Sequence, residues 1–599
     1  MAHTRSAEKG ALMMRILTKG LATLCGLTAC VAVLAASGAL AAPGSDSLVS
    51  VGSAPSTFSQ NKQNEPALAI DANHPNIAVA GANDNIDMED CNAGADNTCP
   101  FTNGVGVSGV YFSFDSGNHW TQPTYTGWSA RNCHGVQGPD PGCQPIAGGP
   151  IGTLPWYFEN GLVSDGDPAV AFGPRQGANG TFSWANGSRL YYANLTSNFG
   201  ATRSEAVFKG FEAIGVSRTD DVHAAAANDK NAWMRPVVIS KQSLTTFSDK
   251  EQIWADNASS SPFFGTVYVC WASFRGQEKS PNAAPAPLIV AVSHDGGDTW
   301  TQHQISAAAN NSQRNPLDGC TVRTDSLGAA YVFGVATLSS QGHNAFEFMS
   351  RSTNGGSTWS RPHPVAGPVT QPGVFDPVLG RPVIDGIAGA RSDLAPAPSA
   401  DIANGAPTGT DATNRIVLSY VSGETTKPHV YFTESTNSGN TWSAPRVIEG
   451  ASDRGYYTAP AISPNGSNVY VVYNAFTTPY QPTTATPRSL VGVVLHATAG
   501  ATGSTGAFSE IHRGSPGDPR GSSQNNLVAE FLGDYVYAAA TRTYGAAVWN
   551  DTRAAADCPA MDAYRQALED GTAATAPAVQ QQCPATFGNS DIFSFTTAP

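Results

Sequence analysis

Ser113-Phe114-Asp115-Ser116-Gly117-Asn118-His119-Trp120 returns as Ser293-His294-Asp295-Gly296-Gly297-Asp298-Thr299-Trp300. It returns again as Ser352-Thr353-Asn354-Gly355-Gly356-Ser357-Thr358-Trp359 and as Ser435-Thr436-Asn437-Ser438-Gly439-Asn440-Thr441-Trp442. The common form is Ser-x-Asp/Asn-x-Gly-x-Thr-Trp, with His119 in the place of Thr in the first copy. Each copy follows a β-rich run such as Val110-Tyr111-Phe112 or His429-Val430-Tyr431-Phe432. The octet reads as a hairpin turn. The Asp or Asn side chain accepts backbone N–H groups within the turn, Gly takes positive φ at low cost, and Trp restarts the next strand while burying a large ring under the turn.

Around these turns, strand-like runs recur in groups of three or four. The first group is 66–70, 76–80, 109–114 and 120–124; the second opens at 167–172 and continues through 191–193, with only a degenerate octet near 194–200. The third is 252–255, 265–271, 288–293 and 300–305, and the fourth 320–324, 330–335, 345–350 and 359–365. The fifth includes 415–420, 430–433 and 442–448, the sixth 459–462, 468–473 and 490–496, and the seventh 535–540, 545–549 and 591–596. The seventh lacks a fourth strand, which 47–52 can supply. A ring closed by strands from both chain ends leaves no exposed sheet edge. The expectation is an all-β chain: a single β-propeller of four-stranded antiparallel blades, seven in number, with six as the alternative. The Gly/Pro/Ala-rich stretch 395–413 reads as an insertion in the fifth group, 561–568 as a short helix, and 91–103, 132–155, 277–287 and 554–588 as long loops.

Composition agrees. Charged residues make up 13% of the 599, about half the usual share, while Gly 61 and Pro 41 suit many turns rather than long helices. The formal charge of −14 disfavours a nucleic-acid partner. Arg5, Lys9, Arg15 and Lys19 precede an apolar run over 21–42 that ends in Ala39-Leu40-Ala41, the pattern of a secretory signal peptide. Leu27-Thr28-Ala29-Cys30 offers a lipoprotein signal as the rival reading. With residues 1–41 as the signal, 42–599 is the secreted chain, with no further run long enough to cross a bilayer. Ten cysteines less Cys25 and Cys30 leave eight, whose simplest pairing is Cys91/Cys99, Cys133/Cys143, Cys270/Cys320 and Cys558/Cys583. Disulfides suit an exported chain better than zinc, whose structural sites need tighter spacings.

The four octets resemble the Asp-boxes, or bacterial neuraminidase repeats, of the sialidase superfamily, and the resemblance covers nearly all of 42–599. It implies a propeller with the boxes at the blade rim, away from the active centre, and a glycan or glycoconjugate partner handled by a monomer without a required cofactor. It also implies an acid/base Asp, a Tyr–Glu nucleophilic couple and three arginines on the substrate carboxylate, for which a bidentate guanidinium is suited. One departure is plain. The family's Arg-Ile-Pro motif before the first box has no counterpart, the corresponding stretch being Gln63-Asn64-Glu65-Pro66-Ala67-Leu68. The chain is therefore more similar to the broad group of exported sialidase-like proteins than to an authentic exo-sialidase.

Propellers act at the mouth of the central channel, where the inner strands begin, and those starts are polar here: Asn64-Glu65, Asp165-Gly166-Asp167, Asp249-Lys250-Glu251, Asp318-Gly319, Arg391-Ser392-Asp393, Tyr456-Tyr457 and Gly533-Asp534-Tyr535. An acidic ring at these positions can also simply cap backbone N–H groups and lock blades together. Glycoside hydrolysis needs two groups facing one bond. Glu65, Asp167, Glu251 and Asp534 are the candidate acids and bases, Tyr456 a candidate nucleophile, and Arg235, Arg323, Arg391 and Tyr535 candidate substrate contacts. A glycosidase is the first reading and a non-catalytic propeller that binds glycan or protein the alternative. Separately, Asn83-Asp84-Asn85-Ile86-Asp87-Met88-Glu89-Asp90 gathers oxygen donors that suit a structural Ca²⁺, with Asp84, Asp87 and Asp90 as ligands. A solvated acidic loop is its plainer reading.

Overall fold

The computed structural model describes residues 45–55, 58–89, 104–132, 145–199, 206–276, 286–308, 318–338, 344–392, 394–500, 503–523 and 531–598. The signal-peptide reading, Cys91, Cys99, Cys133, Cys143, Asp90 and Asp393 lie outside them. Seven antiparallel sheets form seven propeller blades. The inner strands, in order, are Gln63–Ile70, Ala169–Gln176, Thr246–Ala255, Asp318–Thr324, Ser399–Ile402, Arg454–Ile462 and Tyr537–Ala540. Blade 7 continues outward through Gly545–Asp551 and Asp591–Thr596 and ends on Ser47–Leu48, where Ser47 pairs with Ser594 and Leu48 with Phe593. The expected closure by strands from both chain ends is therefore the observed one.

The octets build one turn four times. The Ser side chain accepts from the Gly N–H at 2.9, 2.8, 3.0 and 3.0 Å, and Asp115, Asp295, Asn354 and Asn437 each accept the N–H four residues on at 2.9 Å. Gly117, Gly297, Gly356 and Gly439 all have positive φ, between 77° and 90°, so a β-carbon there would be strained. His119 does the work of the missing Thr, its Nδ1 lying 2.5 Å from Asp115 Oδ2. The Trp rings then cement neighbouring blades. Trp359 meets Tyr268 of blade 3, Trp442 meets Phe333 of blade 4, and Trp120 Nε1 donates to Ser594 of blade 7 at 2.9 Å.

Several boundaries differ from the expectation. The outer strand of blade 1, expected over 120–124, is reduced to a bridge between Phe112 and Thr121, and a separate hairpin, Tyr125–Ser129 with Ile146–Ile151, follows it. Asn194–Asn198 is the end of the long strand Phe182–Asn198, not a degenerate turn; blade 2 connects its outer strands through the short helix Val222–Ala226 instead. The inner strand of blade 5, Ser399–Ile402, lies inside the stretch read as an insertion. The true insertion precedes it and carries the hairpin Val374–Asp376 with Arg381–Val383, so Arg391 belongs to a loop rather than to a strand start. The expected helix is present as Pro559–Glu569. No helix among the described residues is long and apolar enough to cross a membrane.

Two of the expected disulfides are formed, Cys558–Cys583 and Cys270–Cys320. The second ties the second strand of blade 3 to the inner strand of blade 4. A crosslink across 50 residues is worth roughly 4 kcal/mol by chain entropy. The double variant Cys270→Ser/Cys320→Ser is expected to unfold at clearly lower guanidinium concentration, followed by emission from the buried Trp271 next to the bond; an unchanged midpoint would show that the staple adds nothing to the blade contacts.

Candidate functional site at the channel mouth

Five inner strands begin with the same device. Glu65, Asp167, Lys250, Gly319 and Tyr457 have φ of 53°, 52°, 57°, 58° and 43°. In four of the blades the ladder to the second strand shifts register there, between Asn64 and Ala67, Asp249 and Gln252, Asp318 and Thr321, and Tyr456 and Thr458. Such a bulge re-aims a side chain, here towards the channel axis. Four of the five residues are not glycine, and each costs of order 1–3 kcal/mol in that conformation.

Three of those strained side chains meet. Lys250 Nζ lies 2.9 Å from Glu65 Oε1, 2.7 Å from Asp167 Oδ2 and 3.1 Å from Asp534 Oδ2. An ammonium has three N–H donors, so one lysine from blade 3 meets a carboxylate from each of blades 1 and 2 and from the segment leading into blade 7. All four side chains are buried, none more than 9% exposed. The shell is built as carefully. Asn83 Nδ2 donates to Glu65 Oε2 at 2.7 Å, and its Oδ1 accepts the Asp167 N–H at 2.7 Å. Asn550 Oδ1 accepts the Glu65 N–H at 2.9 Å, and the Asp534 N–H reaches Glu65 Oε1 at 3.0 Å. Gly533, at φ 90°, passes so close to Glu65 that a β-carbon would sit 2.5 Å from its Cγ.

The environment drives these carboxyls apart. Burial, then the charge of Asp167, holds Glu65 well above the ordinary carboxylate range even though Lys250 opposes it. Burial also works against Asp167, but Lys250 and the hydrogen bonds from Glu65 and Lys250 outweigh it and bring it to about 2. Burial followed by the charge of Asp167 raises Glu251, and burial likewise raises Asp249. Lys250 is held well above its ordinary value, since the carboxylates of Asp167, Glu65 and Asp534 outweigh the cost of its burial. Protonation is thus favoured at Glu65 and ionisation at Asp167. Tyr535, whose ring lies 5.5 Å from Lys250 Nζ, is kept a neutral phenol by burial and by the charges of Glu65, Asp167 and Glu251.

Of the residues expected from sequence, Glu65, Asp167, Asp534, Glu251 and Tyr535 gather at the mouth around or beside Lys250. A small cavity of about 50 Å³ lies among Lys250, Glu251, Asp534, Tyr535 and Tyr457. Tyr456 instead packs into the blade 6 core against Phe476, and its neighbour Tyr457 faces the cavity. The arginines do not converge. Arg235 is exposed on the blade 2 rim over Trp156, Arg323 lies deeper in the channel against Asp401, and Arg391 stacks 3.5 Å from the centre of the Phe531 ring, which lies 5.9 Å from Lys250 Nζ at the mouth. Asp84 accepts from Tyr111, Gln63, Gln122 and the Ile86 N–H, while Asp87 binds Arg131, Thr153 and the Gly152 N–H. The two carboxylates thus serve separate protein networks. Among the described residues no group of three or more His, Cys, Asp or Glu side chains is arranged to hold a metal ion. Lys250 and Asn83 were the residues that sequence reading passed over; the only signal was a lysine flanked by two acids, Asp249 and Glu251, at an inner-strand start.

No protein-family model and no curated protein matches the chain. Among solved structures the chain is similar to a protein of unknown function from Dyadobacter fermentans, with 12% identity, 64% of this chain and 89% of that one covered, and a TM-score of 0.37. It is similar to an intramolecular trans-sialidase from Ruminococcus gnavus at 12% identity, 71% and 93% coverage and TM-score 0.40. A Trypanosoma rangeli sialidase matches at 10% identity, 76% and 58% coverage and TM-score 0.37. Likenesses this distant carry no activity across to this chain.

Replacing Lys250 by Met leaves three buried carboxylates without their counter-charge, a change that costs about 3–5 kcal/mol. The loss is expected to be larger at pH 8 than at pH 5, because without the ammonium that holds it down Asp167 joins Glu65 in favouring the protonated form, which a lower pH supplies more cheaply. Urea unfolding at the two pH values checks this; a loss of the same size at both would remove the charge argument.

Proposed function

We propose that the protein is an exported hydrolase of glycosidic bonds acting at the channel mouth, with the Glu65–Asp167 pair handling the proton. One observation carries the reading: three ionisable residues in strained conformations converge on one point of one propeller face, in surroundings that move the two carboxyls in opposite directions. A buried ion cluster is weak grounds for stability, strained backbone collects at functional sites, and carboxyls whose environments separate their pKa values mark acid and base roles. The pair supplies the proton to the leaving oxygen. Glu65 and Asp167 both contact Lys250 Nζ, so they act as one proton-sharing unit. The group that faces the opposite side of the bond is then Glu251 or Tyr535, each on the wall of the small cavity. The box-like octets support a glycan as the substrate, and the two disulfides support an oxidising destination outside the cell.

A second reading has its own observation. Lys250 is already paired with three carboxylates, and the 50 Å³ cavity has room for water but not for a sugar ring. On that reading the cluster locks the blades, and the same face binds glycan or protein without turning it over.

Turnover on a panel of fluorogenic glycosides, a sialoside included, separates the two. The hydrolase reading expects release from at least one sugar and a loss of 100-fold or more in kcat on Asp167→Asn, with the thermal midpoint kept within a few degrees. No release from any sugar by protein shown to be folded would abandon the hydrolase in favour of the binding propeller.

A further inference from the structure

Below the mouth the channel is crossed by a polar belt. Gln252 Nε2 of blade 3 donates to the Tyr537 hydroxyl of blade 7, and Arg323 Nη1 of blade 4 donates to Gln252 Oε1 at 2.9 Å. Arg323 Nε lies 3.4 Å from Asp401 Oδ1 of blade 5, whose Oδ2 accepts the Ile462 N–H of blade 6 at 2.9 Å. Five blades are thus joined across the axis, and the channel is divided. On the far side of the belt from Lys250 lies a second, larger cavity of about 360 Å³.

Its walls are apolar, formed by inner-strand side chains such as Leu68, Phe172, Ile402 and Ile462 together with the ring of Trp254. Its floor is a strap, the 403–415 loop between the first two strands of blade 5. The strap crosses the channel exit to three other blades. Pro407 O accepts from Trp184 Nε1 at 3.2 Å and from the Ser259 N–H at 2.9 Å, and Asn404 Nδ2 donates to Asn257 Oδ1 at 2.8 Å. On blade 7, Arg542 clasps the strap, donating from Nη2 to Gly405 O at 2.8 Å and to Asp411 Oδ1 at 2.6 Å, and from Nε to Asp411 Oδ2 at 3.1 Å. Arg542 and Thr543 form the open side of the rim.

We propose that this chamber is a second binding site, for a small apolar molecule that ends in a neutral hydroxyl, and that the Arg542 clasp controls access to it. Ligand pockets run to some hundreds of Å³, mostly apolar with a few placed polar groups. An apolar cavity of about 150 Å³ takes benzene, so this one holds an apolar body of roughly twice that size. The belt sets the chemistry of the deep end. Arg323 and Asp401 neutralise one another, so neither a cation nor an anion is called for, while an N–H donor lies beside a carboxylate acceptor. Asp401 remains 16% exposed, more than Arg323 at 8%. A hydroxyl both accepts and donates, and so satisfies the two at once.

The test uses the full-length protein and 2-naphthol, with naphthalene as the probe that lacks the hydroxyl, read by titration calorimetry and by quenching of tryptophan emission. The site expects saturable one-to-one binding of 2-naphthol at least tenfold tighter than that of naphthalene. It expects loss of binding on Ala539→Phe, a lining position of blade 7 from which a phenyl ring would fill the chamber, and association and release at least tenfold faster on Arg542→Ala. Asp167→Asn, at the other mouth, is expected to leave the affinity unchanged, so this proposal stands or falls apart from the hydrolase. If Ala539→Phe does not fold, Thr543→Trp at the exposed rim replaces it. No saturation by millimolar 2-naphthol, equal affinity for the two probes, or undiminished binding with the chamber filled would each overturn the proposal and leave a solvent-filled channel.

Discussion

One ammonium holds the top of this ring together. Lys250 reaches Glu65 from a sequence distance of 185 residues and Asp167 from 83, and it meets Asp534 from the far end of the chain. These contacts join the first three blades to the last at the point where a closed ring is most easily opened. The geometry depends on backbone that favours glycine and is occupied by Glu65, Asp167 and Lys250, with the strands of Glu65 and Lys250 bulging at that residue. Nothing about burying an ion cluster makes it better for stability than a well-packed apolar plug. Its survival with that much local strain therefore argues for chemistry.

The parts of the fold that could be read from sequence are those whose interactions are local. An octet whose Ser, Asp and Gly bond to one another within five residues announces its turn wherever it lies, and four copies spaced along the chain announce blades. Blade 2 was obscure because it has no octet, and the inner strand of blade 5 because Ser399–Ile402 is four residues set among Pro, Ala and Gly, where no alternation can develop. Its strand character comes from pairing with Ile416–Glu424 and from burial of Ala400 and Ile402 against the neighbouring blade.

The site was legible in type but not in arrangement. A polar residue at each inner-strand start marked Glu65, Asp167, Glu251 and Asp534. Which carboxyl is ionised depends on the position of a lysine that looks, in sequence, like any surface charge between two acids. The arginines are scattered: Arg235 stacks on Trp156 at the blade 2 rim, while Arg391 stacks on Phe531, whose ring also lies 5.9 Å from Lys250 Nζ. Arg323 lies deeper in the channel, and there the Gln252–Tyr537–Arg323–Asp401 belt turns one tunnel into two compartments with unlike walls, one charged and one mostly apolar.

The outermost strand of the last blade is Ser47–Leu48, and its partners lie 547 residues further along. A chain made or threaded from its N-terminus presents this strand first and must keep it unpaired until nearly everything else has emerged. During that interval the strand is an unsatisfied edge, and the first six blades form an open arc rather than a ring. Closure of the circle is then a single late event, gated by arrival of Asp591–Thr596 rather than by the intrinsic speed of any blade, and a chain cut short before that strand would hold nearly all of its blades and no completed circumference.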